Sequence, residues 1–244
     1  MISMAAIRNE FLEELWLPLI IEGGIQFYPA LRKNKKMKTL VFTDESLYQE
    51  IITIINARIT NEDNVFAWTD TLFKTSRLQT YRPVKVVGSS RFEDSAQENI
   101  ITLSSNFPFD ILSIDFSCQN VQDEPQRLEK ELDCIEQIIK VQREKISIGG
   151  FVLFYTTFLG SHPLSSNEIK QSSDSIRIEN WNGLSTNILP NNAISDDDKM
   201  KVIECTIFQF AQKHRLTVNL KKRVSNFNPN NKKLYSIGGI FKVV

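Results

Sequence analysis

FDILSIDFSCQ, residues 109–119, decides how the rest of the chain reads. Its apolar residues occupy both odd and even positions, with Ile111 and Leu112 successive, instead of alternating strictly, as expected of a strand buried on both sheet faces. Such a strand belongs inside a mostly parallel sheet with helices on either side. Asp115 then stands at its carboxyl end, where open α/β sheets receive ligands.

Working outward, residues 124–146 carry Leu128, Leu132, Ile135, Ile138 and Ile139 on one stripe, which predicts a long amphipathic helix. Gly149 and Gly150 release that helix into FVLFYTTF, another strand. Upstream, TLVF at 39–42 reads as a strand, SLYQEIITIINARI as a helix and PVKVVGSS as a further strand, with a loop leading to FDILSIDF. Residues 61–82 read only as a partly helical, aromatic connection. Residues 5–21 place Ile7, Phe11, Leu15 and Leu19 about one turn apart, a helix expected to close at Gly23-Gly24. Downstream, 159–194 is rich in Ser and Asn and reads as a long loop or lid. ISDDDKMKVIECTIFQFAQKH restores a helix with an acidic start, and two β-rich runs joined by NPNN predict a C-terminal hairpin. The fold class is therefore α/β, Rossmann-like and doubly wound, with a mostly parallel sheet and an antiparallel C-terminal hairpin. Residues 1–37 form a helical and basic extension, and 38–244 the α/β domain.

Composition narrows the function classes. Lys plus Arg and Asp plus Glu both number 29, so no global field marks a dedicated polyanion binder. Nucleic acid would have to be met locally, through the Lys/Arg clusters at 32–38 and 221–233. The crowded apolar end of the N-terminal helix is a candidate contact for a protein partner as well as for the core. Three separated cysteines and two histidines give no metal-binding spacing, so no metal is expected. LWLPLII at 15–21 is too short for a membrane span and lacks the flanks of a signal peptide, which leaves a cytoplasmic protein with reduced thiols as the expectation.

Acids follow three predicted strands: Asp44 and Glu45 after TLVF, Glu93 and Asp94 after VKVVGSS, and Asp115. A carboxylate just past such a strand can accept both hydroxyls of a ribose, and Asp44 or Glu45 fits that role best. Each also has a simpler use, as a cap or a dipole partner for the helix that follows.

With these residues in place, 38–244 resembles the class I S-adenosylmethionine-dependent methyltransferases, whose seven-strand sheet ends in an antiparallel strand. TLVFTDES resembles the family's second strand with its ribose-binding acid, VKVVGSSRFED the third, FDILSIDF the fourth, and ISIGGFVLFYTTF the glycine-led fifth. The resemblance implies S-adenosylmethionine as cofactor and methyl transfer to an acceptor, nucleic acid being one candidate. It implies Asp44 or Glu45 at the ribose, Glu93 or Asp94 near the adenine, and Asp115 with Phe116 beside the transfer site. The sequence departs from the family in one place: no G-x-G precedes residue 38, and Gly23 and Gly24 are the nearest material for a permissive cofactor turn. DFSCQN is also not the D/N-P-P-Y/F motif of amino-methylating nucleic-acid enzymes. The alternative is therefore a catalytically inactive methyltransferase-fold protein acting as an interaction or scaffold subunit.

Overall fold

The computed structural model describes residues 4–27, 36–42, 48–69, 85–89, 91–117, 127–159, 196–227 and 232–244. Among these residues seven strands form one sheet: β1 (Thr39–Phe42), β2 (Val65–Thr69), β3 (Lys85–Ser89), β4 (Ile111–Asp115), β5 (Gly150–Leu159), β6 (Leu216–Phe227) and β7 (Lys232–Val243). Their order is β3-β2-β1-β4-β5-β7-β6. The first five are parallel to one another, and β7 runs antiparallel between β5 and β6. This is a Rossmann-like, doubly wound α/β sheet with an antiparallel hairpin, of the methyltransferase-like kind. The NPNN joint, 228–231, lies outside the described residues.

Every residue of β1, β2 and β4 is buried, as strands covered on both faces must be. On one face, Leu112, Ile114 and Phe116 meet α4 (Ala96–Leu103), α5 (Arg127–Lys145) and α6 (Asp196–Lys213) in the main core. The other face carries α3 (Tyr48–Asn56), packed through Ile51 on Val41, Val65 and Ala67, and a long N-terminal helix. Two polar links fix the start of β4. Buried Gln142 of α5 accepts from the Phe109 N–H at 3.0 Å and donates to its carbonyl at 2.5 Å, and Asp110 Oδ2 accepts from the Lys38 N–H at 2.8 Å.

Two elements depart from the sequence reading. Residues 65–69, expected in a partly helical connection, form β2, and the stretch before FDILSIDF contains a 3-10 turn (Phe92–Ser95) and α4. A five-residue strand buried at every position has no alternation to betray it, and an eight-residue helix offers little more than two turns of periodicity. The correction shifts the register of the resemblance. TLVF is the first strand of the sheet, flanked by β2 and β4, and VFAWT is the second. The winding reverses between β1 and β4, so the ligand crevice of this fold class lies at their carboxyl ends.

The N-terminal helix also runs further than expected. α1 (Met4–Phe11) passes through a π turn (Leu12–Trp16) into α2 (Leu17–Phe27), so Gly23 and Gly24 are helical and end nothing. The reason is a four-residue rhythm: buried residues come in pairs at 7/8, 11/12, 15/16 and 19/20. In an α-helix of 3.6 residues per turn a four-residue repeat drifts by about 40° at each step. The π turn, closed by the Leu17 N–H on the Leu12 carbonyl, takes back part of that drift and keeps the stripe on the sheet. Trp16 stacks on Phe154 with ring centroids 5.0 Å apart and donates to Ser236 Oγ at 3.2 Å.

Gly23 allows the close approach of α2 to the sheet, since a Cβ there would lie 2.6 Å from Val152 Cγ2, on a strand that cannot retreat. Gly23→Ala is expected to lower stability by about 1–3 kcal/mol through overpacking. Gly24→Ala, whose Cβ would meet only the flexible Met37 Cε at 2.7 Å, should be close to neutral or slightly stabilising. Urea unfolding of both variants checks this contrast.

Candidate functional site

Asp115, the last residue of β4, turns toward the N-terminal helix and is 2% exposed. Its Oδ1 accepts from the Ser117 N–H at 2.7 Å and from Ser117 Oγ at 2.5 Å, a tight local turn. Its Oδ2 lies 3.3 Å from Arg8 Nε of α1, and Arg8 Nη2 donates to Ser117 Oγ at 3.0 Å. Both charged side chains are almost fully buried, so the carboxylate expected at the methyl-transfer site is committed to a guanidinium from the chain's own first helix.

The opposite face at the same end of the sheet is filled. Phe116 is fully buried, edge-on to Phe42 at 5.9 Å and to Tyr155 at 6.0 Å, and Phe92 packs against Phe42 and Trp68. Phe116, expected at the border of the transfer site, is thus a core residue. Beneath it Arg127, the first residue of α5, donates to the Phe116 carbonyl at 2.6 Å and pairs with Glu131 at 2.5 Å. Tyr155 OH donates to the other oxygen of Glu131 at 2.6 Å. Burial pushes the Glu131 carboxyl up, opposed by Arg127 and by the hydrogen bonds from Tyr155 and Thr157. Burial and the neighbouring Glu131 push the Tyr155 phenol well up, so it stays a donor. This network closes the α5 side of β4 and β5 with a polar clip whose members satisfy one another.

Glu93 and Asp94 follow β3 in the 3-10 turn Phe92–Ser95, as their order in sequence implied. The Glu93 side chain is buried and accepts from Arg91 Nη2 at 3.1 Å and Nε at 3.3 Å, while Asp94, 3.6 Å from Arg91 Nε, keeps 46% of its side chain exposed. Asp44 and Glu45 lie outside the described residues, as do Cys118, His162 and the segment 160–194. In chain order they follow the first strand, not the second, and the acid that follows the second strand is Asp70. Gly23 and Gly24 do not join this site. Gly23 abuts Val152, near the amino end of β5, at the other end of the sheet from Asp115. A helical glycine packed on a strand is not a turn that admits a cofactor.

Of the basic residues in the two clusters, those whose side chains are described have partners within the chain. Lys221 pairs with Glu22 at 3.2 Å, Lys233 with Asp196 at 3.1 Å, Arg223 with Glu14 and Lys222 with Glu204. In the other cluster, Lys36 caps the Arg58 carbonyl at 2.9 Å and Lys38 sits between the rings of Phe66 and Phe109, 5.0 Å from each. Cys134 is buried, and burial pushes the Cys205 thiol up to about 11. Among the described residues no cluster of His, Cys, Asp or Glu is suited to a metal ion, and no helix is long and apolar enough to cross a membrane.

Sheet order and crevice together define a methyltransferase-like α/β fold. No family model and no curated protein matches the sequence. Among solved structures the chain is similar to the methyltransferase domain of bacterial CtHen1-CN, at 7% identity and a TM-score of 0.46 over 97% of this chain and 99% of that one. It is also similar to the CurJ carbon methyltransferase, at 11% identity and a TM-score of 0.43 over 89% of this chain and 51% of that one. These are likenesses in the path of the chain alone.

Proposed function

We propose that this chain is a catalytically inactive methyltransferase-fold protein that serves as an interaction or scaffold subunit. The observation that carries the reading is the fate of Asp115. A carboxylate at the carboxyl end of β4 that is free to face a ligand would be solvated or left open, whereas this one is 1% exposed and held between Arg8 and Ser117. The described residues fit S-adenosylmethionine poorly in three further ways. Phe116 is spent on the core, Glu93 is bound to Arg91, and Gly23 and Gly24 lie in a helix at the wrong end of the sheet. The sequence after β1, TDES, supplies no glycine for a close backbone approach to a cofactor.

A second reading, methyl transfer from S-adenosylmethionine to an acceptor such as nucleic acid, is favoured by the exposed Asp94 after β3 and by Asp70 directly following β2. Calorimetric titration of the whole chain with S-adenosylmethionine and S-adenosylhomocysteine separates the two. The inactive reading expects no saturable heat up to millimolar ligand. Saturable binding that weakens in Asp94→Ala or Asp70→Ala would replace it with the enzyme reading and call for an acceptor screen.

A further inference from the structure

We propose that α1 is a latch over the carboxyl end of β4, with Arg8 as its bolt and the π turn as its hinge, and that its opening offers Asp115 and Ser117 to a cationic group from outside the chain. This rests on the reading of the crevice as a closed site and gives it a means of opening.

The packing divides where α1 enters the π turn, between Phe11 and Leu12. From Leu12 onward, the π-turn residues Leu12, Leu15 and Trp16 together with Leu19 and Ile20 of α2 share a cluster with Val152, Phe154 and Ile240, and Gly23 is in contact with β5. Before that point, Ile7 and Phe11 form a separate small cluster with Leu234 and Phe158. The first two turns thus rest on few apolar partners while the remainder is anchored along the sheet, a division that permits local opening without global unfolding. The π turn, where regular i→i−4 bonding gives way to an i→i−5 closure, is a place where a helix bends readily. What the latch covers is built for a cation. The Asp115 carboxylate is nearly inaccessible, its geometry is set by the Ser117 N–H and Oγ, and Ser117 Oγ also takes a hydrogen bond from the guanidinium. With Arg8 withdrawn, a carboxylate fixed at the crevice mouth faces whatever enters. A guanidinium or alkylammonium group satisfies both its charge and the Ser117 hydroxyl, whereas an anion is repelled.

Amide hydrogen exchange on the full chain tests the latch, read separately over 8–11 and over α2, for wild type and Arg8→Ala. The expected result is exchange over 8–11 faster by about tenfold or more in the variant with α2 essentially unchanged, and protection restored by millimolar methylguanidinium. Adding Asp115→Asn should abolish that rescue. Acceleration spread evenly over 8–11 and α2, or absent from both, would overturn the hinge, and failure of methylguanidinium to restore protection would overturn the cation site. If Arg8→Ala does not fold, Ser117→Ala, which removes one contact of the guanidinium without stranding a charge, gives the same comparison of the two segments. None of these readouts uses S-adenosylmethionine, so binding of that ligand by the wild type would remove the inactive reading and leave the latch to stand or fall by itself.

Discussion

Trp16→Ala is expected to destabilise the protein by about 3–5 kcal/mol, enough to leave little folded chain at physiological temperature if total stability is ordinary. The indole is 2% exposed, stacked on Phe154 at 5.0 Å and bonded to Ser236, so its removal empties a large volume in the layer between the N-terminal helix and the sheet. Backbone collapse cannot fill that space, because Phe154 and Ser236 are fixed by pairing between β5 and β7. Trp16→Phe keeps most of the stack and gives up the hydrogen bond, for a smaller loss of about 1–2 kcal/mol. Urea unfolding followed by far-ultraviolet circular dichroism measures both. A loss below about 1 kcal/mol for the alanine variant would mean that the helix does not hold to the sheet as described.

Arg127→Met should be as damaging at neutral pH, by about 3–5 kcal/mol, because it leaves Glu131 buried with a charge and no cation. Its pH dependence gives a separate signature. Burial already raises the Glu131 carboxyl, and without Arg127 the folded-state value moves further up. A carboxyl whose folded pKa lies above its unfolded one contributes stability that is fully present below the unfolded value, about 4.3. That contribution is lost as pH rises through the folded value. The gap between variant and wild type should therefore be smaller near pH 5 and widen toward pH 8. A gap independent of pH would show that the damage comes from lost packing of the arginine stem instead.

The strands around Asp115 were legible because two-sided burial puts apolar residues on both parities of the strand, as the unbroken FVLFY of FVLFYTTF and the Ile111-Leu112 pair with Ile114 in FDILSIDF show. β2 carries the same signature in VFAWT, bounded by Asn64 and Asp70, and a search for short apolar runs between turn formers would have found it. The end of α2 was missed because glycine is read as a terminator, whereas Gly23 serves close packing that only the partner strand reveals. The partners of Asp115 were beyond sequence reasoning altogether. Arg8 reaches Ser117 across 109 residues, and nothing local to either position announces the contact. Glu131 left a trace: it falls beside Leu132 and Ile135 on the apolar stripe of α5, where an acid needs a buried cation, and Arg127 stands one turn before it.

The pairing of Trp16 with Ser236 spans 220 residues and ties the π turn to β7. During synthesis the amphipathic helix leaves the ribosome long before β7, on which Leu19 and Ile20 also rest through Gly238 and Ile240. At about 5–20 residues per second the helix waits on the order of ten seconds or longer with its apolar stripe uncovered. Over that interval it is a target for chaperones and a hazard for aggregation. A circular permutant that moves the helix behind β7 should shorten the wait and raise the soluble yield without altering a single contact of the helix with the sheet.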